Sequence, residues 1–282
     1  MLKFKRVRFS LLKAGHCHHP EFVTLRGGSW RNIQFPALCA LLEHPERGAL
    51  LYDTGYAEHF YAATQGFPYR LYRWVTPIHL GTSLIEQLAQ RGLSSADITT
   101  VLISHFHGDH VAGLHDFPHA QFVAMQSDYD AVQQLTGWSA LKNGFLPALL
   151  PRDFAARVSF VETTRRVNLP REFAPFAEGY DLFGDESLMA FPLPGHVAAQ
   201  MGLLFRDQHD ALRLLIADAA WSQRAITELR FPAPVTRLLF SDTARYRQTL
   251  RQLHELQTHH RELTLIPSHC TQTWQSLQQT NA

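Results

Sequence analysis

The segment Val101-Leu102-Ile103-Ser104-His105-Phe106-His107-Gly108-Asp109-His110 sets three histidines and an aspartate directly behind an apolar run. Val101–Ile103 reads as the end of a buried strand. His105 and His107 are two residues apart, so in an extended segment both point to one side. Gly108 permits a sharp change of direction that turns Asp109 and His110 toward the same cavity. Imidazole nitrogens together with a carboxylate oxygen suit zinc and other borderline divalent ions, whereas calcium or magnesium want mostly oxygen. Four such groups do not close two metal sites, so further ligands have to come from elsewhere.

They follow other apolar runs. Leu188–Leu193 leads into Pro194-Gly195-His196, Leu212–Ala217 into Asp218, and Leu263–Pro267 into Ser268-His269. Ligands presented at the ends of several strands are what a rigid metal site requires. Each is weak alone: His196 or His269 reads equally as a hydrogen-bonded structural histidine, and Asp218 as a helix N-cap. Their joint occurrence with the first motif makes them candidates.

Around these points the chain alternates. Runs rich in Val, Leu, Ile or Phe predict strands at Phe4–Leu12, Ala37–Leu42, Ala49–Tyr52, Thr100–Ile103, Gln121–Met125, Val158–Val161, Leu188–Leu193, Gly202–Phe205, Leu212–Ala217 and Leu263–Ile266. Helical spacing marks Ser83–Arg91, Ser127–Leu135 and Asp242–His260, the last with Tyr246, Leu250, Leu253 and Leu256 in one stripe. Interspersed strands and helices predict α/β layers. The stretches Phe60–Pro77 and Gly137–Phe154, rich in aromatic residues or proline, fit neither pattern and read as excursions from the scaffold. Without a convincing linker, residues 1–282 are expected to form a single domain.

A net charge of +1 gives no electrostatic case for nucleic acid or an acidic membrane surface. Cys17, Cys39 and Cys270 are too scattered for a disulfide framework, and Cys270 reads as structural. No apolar run approaches membrane-helix length and the first residues lack a signal-peptide core, so the cytoplasm is the expected compartment. Of the other histidines, His16, His18 and His19 cluster near the N-terminus and offer a pocket rim, yet solvent exposure or structural hydrogen bonds are expected for them, as for His115, His119, His254, His259 and His260.

In order and spacing, H-x-H-x-D-H, then P-G-H, then strand ends carrying Asp and His, the chain resembles the metallo-β-lactamase-fold hydrolases. Leu51-Tyr52-Asp53-Thr54-Gly55 is similar to their upstream D-T-G element. Within that group Ala14-Gly15-His16-Cys17 and Phe35–Leu42 resemble the N-acyl-homoserine lactone lactonases. The resemblance implies a four-layer αββα sandwich, two mixed sheets with helices on the outer faces. It implies His105, His107 and His196 on one metal, Asp109, His110 and His269 on a second, and Asp218 bridging. Asp53 would orient a ligand. The cofactor implied is a pair of divalent ions, zinc being expected and manganese, iron or cobalt the alternatives.

Such a pair shares a hydroxide that attacks a small ester, lactone or thioester, an acyl-homoserine lactone among them, with Asp109 and Asp218 as the catalytic carboxylates. A phosphodiesterase or phosphotriesterase on the same site, or a non-enzymatic ligand sensor with retained metals, are the alternatives. The lactonases carry a substrate-contacting tyrosine three residues after the bridging aspartate; here that position is Trp221, so Tyr56 or Tyr246 are substitutes to consider. The aromatic stretch 60–77 offers either a wall for an apolar substrate group or a homodimer contact.

Overall fold

The alternation inside each strand decides the architecture. Leu42, Leu50, Leu102, Leu203 and Leu215 face one core, while their neighbours Leu41, Leu51, Val101, Leu204 and Leu214 face the opposite side of the same strands. Both faces of both sheets are therefore apolar, and each sheet is covered twice. The computed structural model, which describes residues 4–280, shows this arrangement. The termini of the expected 1–282 domain lie outside the described residues.

The strands are β1 (Arg8–Pro20), β2 (Asn32–His44), β3 (Gly48–Tyr52), β4 (Ile78–His79), β5 (Ile98–Leu102), β6 (Gln121–Ala124), β7 (Val158–Phe160), β8 (Arg165–Asn168), β9 (Glu178–Asp181), β10 (Leu188–Leu193), β11 (Gln200–Arg206), β12 (Leu212–Ala217) and β13 (Thr264–Pro267). They form a seven-stranded sheet in the order β4-β1-β2-β3-β5-β6-β7 and a six-stranded sheet in the order β13-β12-β11-β10-β9-β8. Both are mixed: β3, β5, β6 and β7 run parallel, as do β12 and β13, and the other pairs are antiparallel.

The inner core lies between the sheets, from Leu38, Ala40 and Tyr52 across to Ala190, Met201, Phe205 and Ile266. One outer core joins the first sheet to the helix Leu84–Ala89 and its neighbours, and the other joins the second sheet to the helix Thr243–His259 through Leu250, Leu253 and Leu256. The four-layer sandwich with helices outside is thus observed. Among the described residues no helix is long and apolar enough to cross a membrane.

Three differences from the sequence reading have physical causes. β1 continues past Leu12 to Pro20, because pairing with β2 and β4 carries the chain through Lys13–His19 despite their polarity. β8 is an exposed, charged edge strand and β9 beside it has Tyr180 as its one large apolar side chain, so no apolar run marked them. The two excursions hold the helices Glu58–Ala63, Arg70–Val75 and Gly137–Lys142, each too short at six residues to show a periodic stripe.

Candidate metal centre

Five strand ends open onto one edge of the sandwich. β3 and β5 are parallel with Tyr52 beside Leu102, so Asp53 and the segment Ile103–His107 leave the sheet side by side. β12 and β13 are parallel with Ala217 beside Pro267, which does the same for Asp218 and His269. β10 delivers His196 through Pro194 and Gly195. Gly195 has φ +124, and a Cβ there would lie 2.1 Å from the Tyr246 backbone nitrogen, so no side chain fits. The helix Gly108–Val111 then turns Asp109 and His110 inward. Loops at the carboxyl ends of parallel strands are where open α/β sheets place ligands.

Three groups of these residues have ligand atoms within 4.8 Å of one another: His105, His107 and His196; Asp109, His110 and His269; and His105, His110 and Asp218. Asp218 is central. Its Oδ1 lies 3.1 Å from His269 Nε2 and 3.4 Å from His110 Nε2, and its Oδ2 lies 3.3 Å from His196 Nε2. Asp109 Oδ2 is 3.3 Å from His269 Nε2, and His107 Nδ1 faces His196 Nε2 at 3.0 Å.

A second set of contacts orients these groups. Ser104 donates from N–H and Oγ–H to the two oxygens of Asp53, at 2.7 Å each. His110 Nδ1 lies 2.8 Å from Asp53 Oδ2, and His105 Nδ1 3.0 Å from Ser104 Oγ. His269 Nδ1 donates to the Pro36 carbonyl at 2.7 Å, which leaves Nε2 without a proton in the neutral ring. Trp221 Nε1–H donates to Asp218 Oδ2 at 2.8 Å, so the indole is turned to the carboxylate. Tyr56 and Tyr246, the candidate substitutes, are both buried. Asp53 (φ 60) and Ala217 (φ 44) adopt left-handed backbone beside the site, a strained geometry concentrated where side chains must be aimed.

The charges bear on what the cluster can hold. Burial first, then neighbouring imidazoles, keeps His105 well below the usual histidine range; burial holds His107 down and His196 at about 3. Burial opposes charge on His110 and His269 too, yet the carboxylates around them prevail: His110 rises to about 10 through Asp53, Asp109 and Asp218, and His269 rises well above its usual range through Asp218 and Asp109. Burial likewise disfavours the charge on Asp109 and Asp218, but histidines hold both carboxylates below their usual range. Neutral imidazoles and ionised carboxylates are the forms that ligate metals, so His105, His107, His196 and both carboxylates are ready, whereas His110 and His269 would give up a proton to a bound cation. His105 Nε2, His110 Nε2 and Asp218 Oδ1 are buried and accept or donate no hydrogen bond. Buried polar atoms without partners are costly, so the residues present fit a pair of cations.

Several supports gave no signal in the sequence. Gly144 (φ +61), in the second excursion, backs the His107 ring, where a Cβ would fall 2.6 Å from Cδ2. Asp128 is buried beside the backbone amides of Phe106, Ala198 and Ala199, behind both ligand loops, and burial pushes its carboxyl up to about 7. Ser104 stands next to His105, and that adjacency was the available cue. Cys270 is buried and receives Gln223 N–H on its sulfur, a structural setting.

The metallo-beta-lactamase superfamily profile matches residues 33–210, more than half of the chain. The N-acyl homoserine lactonase AttM of Agrobacterium fabrum is 26% identical over 192 residues, 67% of this chain and 65% of the relative, so the chain spans just under two thirds of that protein's length. AttM of Azorhizobium caulinodans is 25% identical over 83% of this chain and 82% of its own. AiiB of Agrobacterium fabrum is 24% identical over 88% and 84%. An N-acyl homoserine lactone hydrolase with the product N-hexanoyl-L-homoserine at its catalytic metal centre superposes with a TM-score of 0.69, at 17% identity, covering 96% of this chain and 97% of that one. The dizinc lactonase AidC superposes at 0.66, with 15% identity and coverage of 95% and 89%. At such identities these likenesses speak for the fold.

Proposed function

We propose, from the premise that the chain belongs to the metallo-beta-lactamase superfamily, that it is a single-domain, dinuclear metal-dependent hydrolase of a small ester, lactone or thioester with an apolar portion. The observation that carries this reading is the convergence of the His110, His196 and His269 nitrogens on Asp218, with His105 Nε2, His110 Nε2 and Asp218 Oδ1 buried and without a hydrogen bond among the described residues. In this reading His105, His107 and His196 hold one ion, Asp109, His110 and His269 hold the other, and Asp218 serves both. Zinc suits three imidazoles and a carboxylate. The relatives' names add support for a lactone among the substrates.

When bound, two such ions supply Lewis acidity toward water and toward a carbonyl oxygen. The chain's own residues do the positioning. Asp53 fixes His110 and, through Ser104, His105; the Pro36 carbonyl fixes His269; Trp221 fixes one oxygen of Asp218. Partners of this kind set tautomer and ring angle in metal-binding histidines. Asp109 and Asp218 are the acceptors at hand for the proton that hydrolysis releases.

Elemental analysis of the purified protein, with turnover of an acyl-homoserine lactone, an aryl ester, a thioester and an aryl phosphodiester, tests the reading. About two ions per chain with hydrolysis of an acyl substrate is expected. Absence of metal after zinc or manganese is added overturns it, and turnover of the phosphodiester alone replaces the substrate class.

A further inference from the structure

The helix Arg70–Val75 brings one tyrosine to the metal edge. A Cβ built on Gly108 would lie 3.4 Å from Tyr72 Cε1 and 3.3 Å from Phe60 Cε2, so both rings stand over the start of the helix that carries Asp109 and His110. Phe60 braces Tyr72 edge-on, with centroids 5.4 Å apart and planes at 78°. Gly108, beneath the Tyr72 ring, is flanked in the chain by His107 and Asp109, two candidate metal ligands, and the charges of Asp109 and Asp218 act on the phenol. Burial and these charges keep the phenol protonated, a donor rather than an anion.

Three neighbouring tyrosines are already engaged. Tyr61 donates to the Ile78 carbonyl at 3.2 Å, Tyr69 accepts from Gly137 N–H at 2.7 Å, and Tyr56 pairs with the Cys17 thiol. The Tyr246 hydroxyl has no partner among the described residues, but the residue is fully buried, its ring stacked on Phe240 at 4.1 Å. Tyr72 is only partly buried; its oxygen faces the Gly108 amide, which leaves the hydroxyl proton to donate elsewhere. A half-buried phenol with a free proton, beside carboxylates that face a common point, is placed to meet an incoming oxygen.

We propose that Tyr72 is a substrate-contacting residue whose phenol donates a hydrogen bond to the acyl oxygen of the bond being hydrolysed. This rests on the hydrolase reading above. Donation to an oxygen that gains charge strengthens as the reaction proceeds, so its loss falls on kcat more than on KM.

The test compares the metal-loaded wild type with Tyr72→Phe, which keeps the ring against Phe60 and Gly108 and removes only the hydroxyl. Turnover of N-hexanoyl-homoserine lactone and of phenyl acetate, calorimetric affinity for N-hexanoyl-homoserine, and metal content are all measured. A fall of about 10²-fold in kcat with KM nearly unchanged, weaker product binding and full metal content is the expected result. Unchanged kcat and product affinity overturn the proposal and leave the hydrolase reading standing. Loss of metal in Tyr72→Phe also overturns it, because the ring would then be supporting the ligands. A metal-loaded wild type that neither turns over these substrates nor binds the product removes the hydrolase reading and this proposal with it.

Discussion

The metal edge and the aromatic wall beside it are built by different means. At the edge, candidate ligands leave the ends of β5, β10, β12 and β13, and the sheet ladders fix where each starts. The wall comes from the two excursions, held to each other by side chains: Phe67 meets Trp138 edge-on at 5.1 Å, and the Tyr69 hydroxyl accepts from the Gly137 amide. Phe67, Trp74 and Trp138 remain largely exposed. A backbone ladder tolerates little movement, whereas a side-chain clasp on short helices can be rebuilt residue by residue. In the proposed hydrolase the edge would hold the metals, and the wall would select what reaches them.

Perturbing the edge should cost most. Asp218→Ala or His107→Ala is expected to remove most of the metal and to lower hydrolysis by about 10³-fold or more, measured by elemental analysis and turnover. Either variant with full metal and full activity breaks the assignment. Behind the edge, Asp128 tests how far burial alone acts. Its folded pKa of about 7 lies above the usual carboxyl value of 3.8, so the ionised form is penalised and stability is lost as pH rises from about 4 to 7. In the metal-free protein Asp128→Asn should gain on the wild type over that window, by roughly 2–4 kcal/mol at neutral pH. Denaturation curves that stay parallel across pH refute this.

Orienting contacts come next. Asp53→Asn keeps a residue that tolerates left-handed backbone but removes the charge facing His110, and about 10–100-fold weaker metal binding is expected from chelator competition. Trp221→Phe deletes one N–H bond to Asp218, with about a tenfold loss by the same assay. If Trp221→Phe binds metal normally, the indole belongs to the wall rather than to the edge. The smallest effect is expected in the wall: Phe67→Ala should leave metal content intact and raise KM for a long-chain acyl substrate about threefold. A loss of metal there would erase the distinction between the two regions.

How much could be read in advance follows the same division. His105, His107, Asp109 and His110 sit together in the sequence, and His196, Asp218 and His269 each follow an apolar run, so local pattern pointed to them. Alternating strands and helices made α/β layers legible, while the four-layer sandwich followed from the family resemblance. The excursions were not, since six-residue helices carry no stripe. Trp221 was visible only as a departure from a family pattern; that its N–H is spent on Asp218 depended on where β12 ends relative to the indole.

The sequence by itself determined the candidate ligands, their order and the strand ends that carry them, because metal preference and strand periodicity are properties of side chains and of short stretches of chain. Tertiary structure alone decided which imidazoles meet Asp218, that the Pro36 carbonyl fixes His269 from 233 positions away, and that the Tyr72 ring stands over Gly108. Those facts depend on the stacking and register of two sheets and on loops packed across them. Contacts between residues so distant in the chain leave no periodic trace along it.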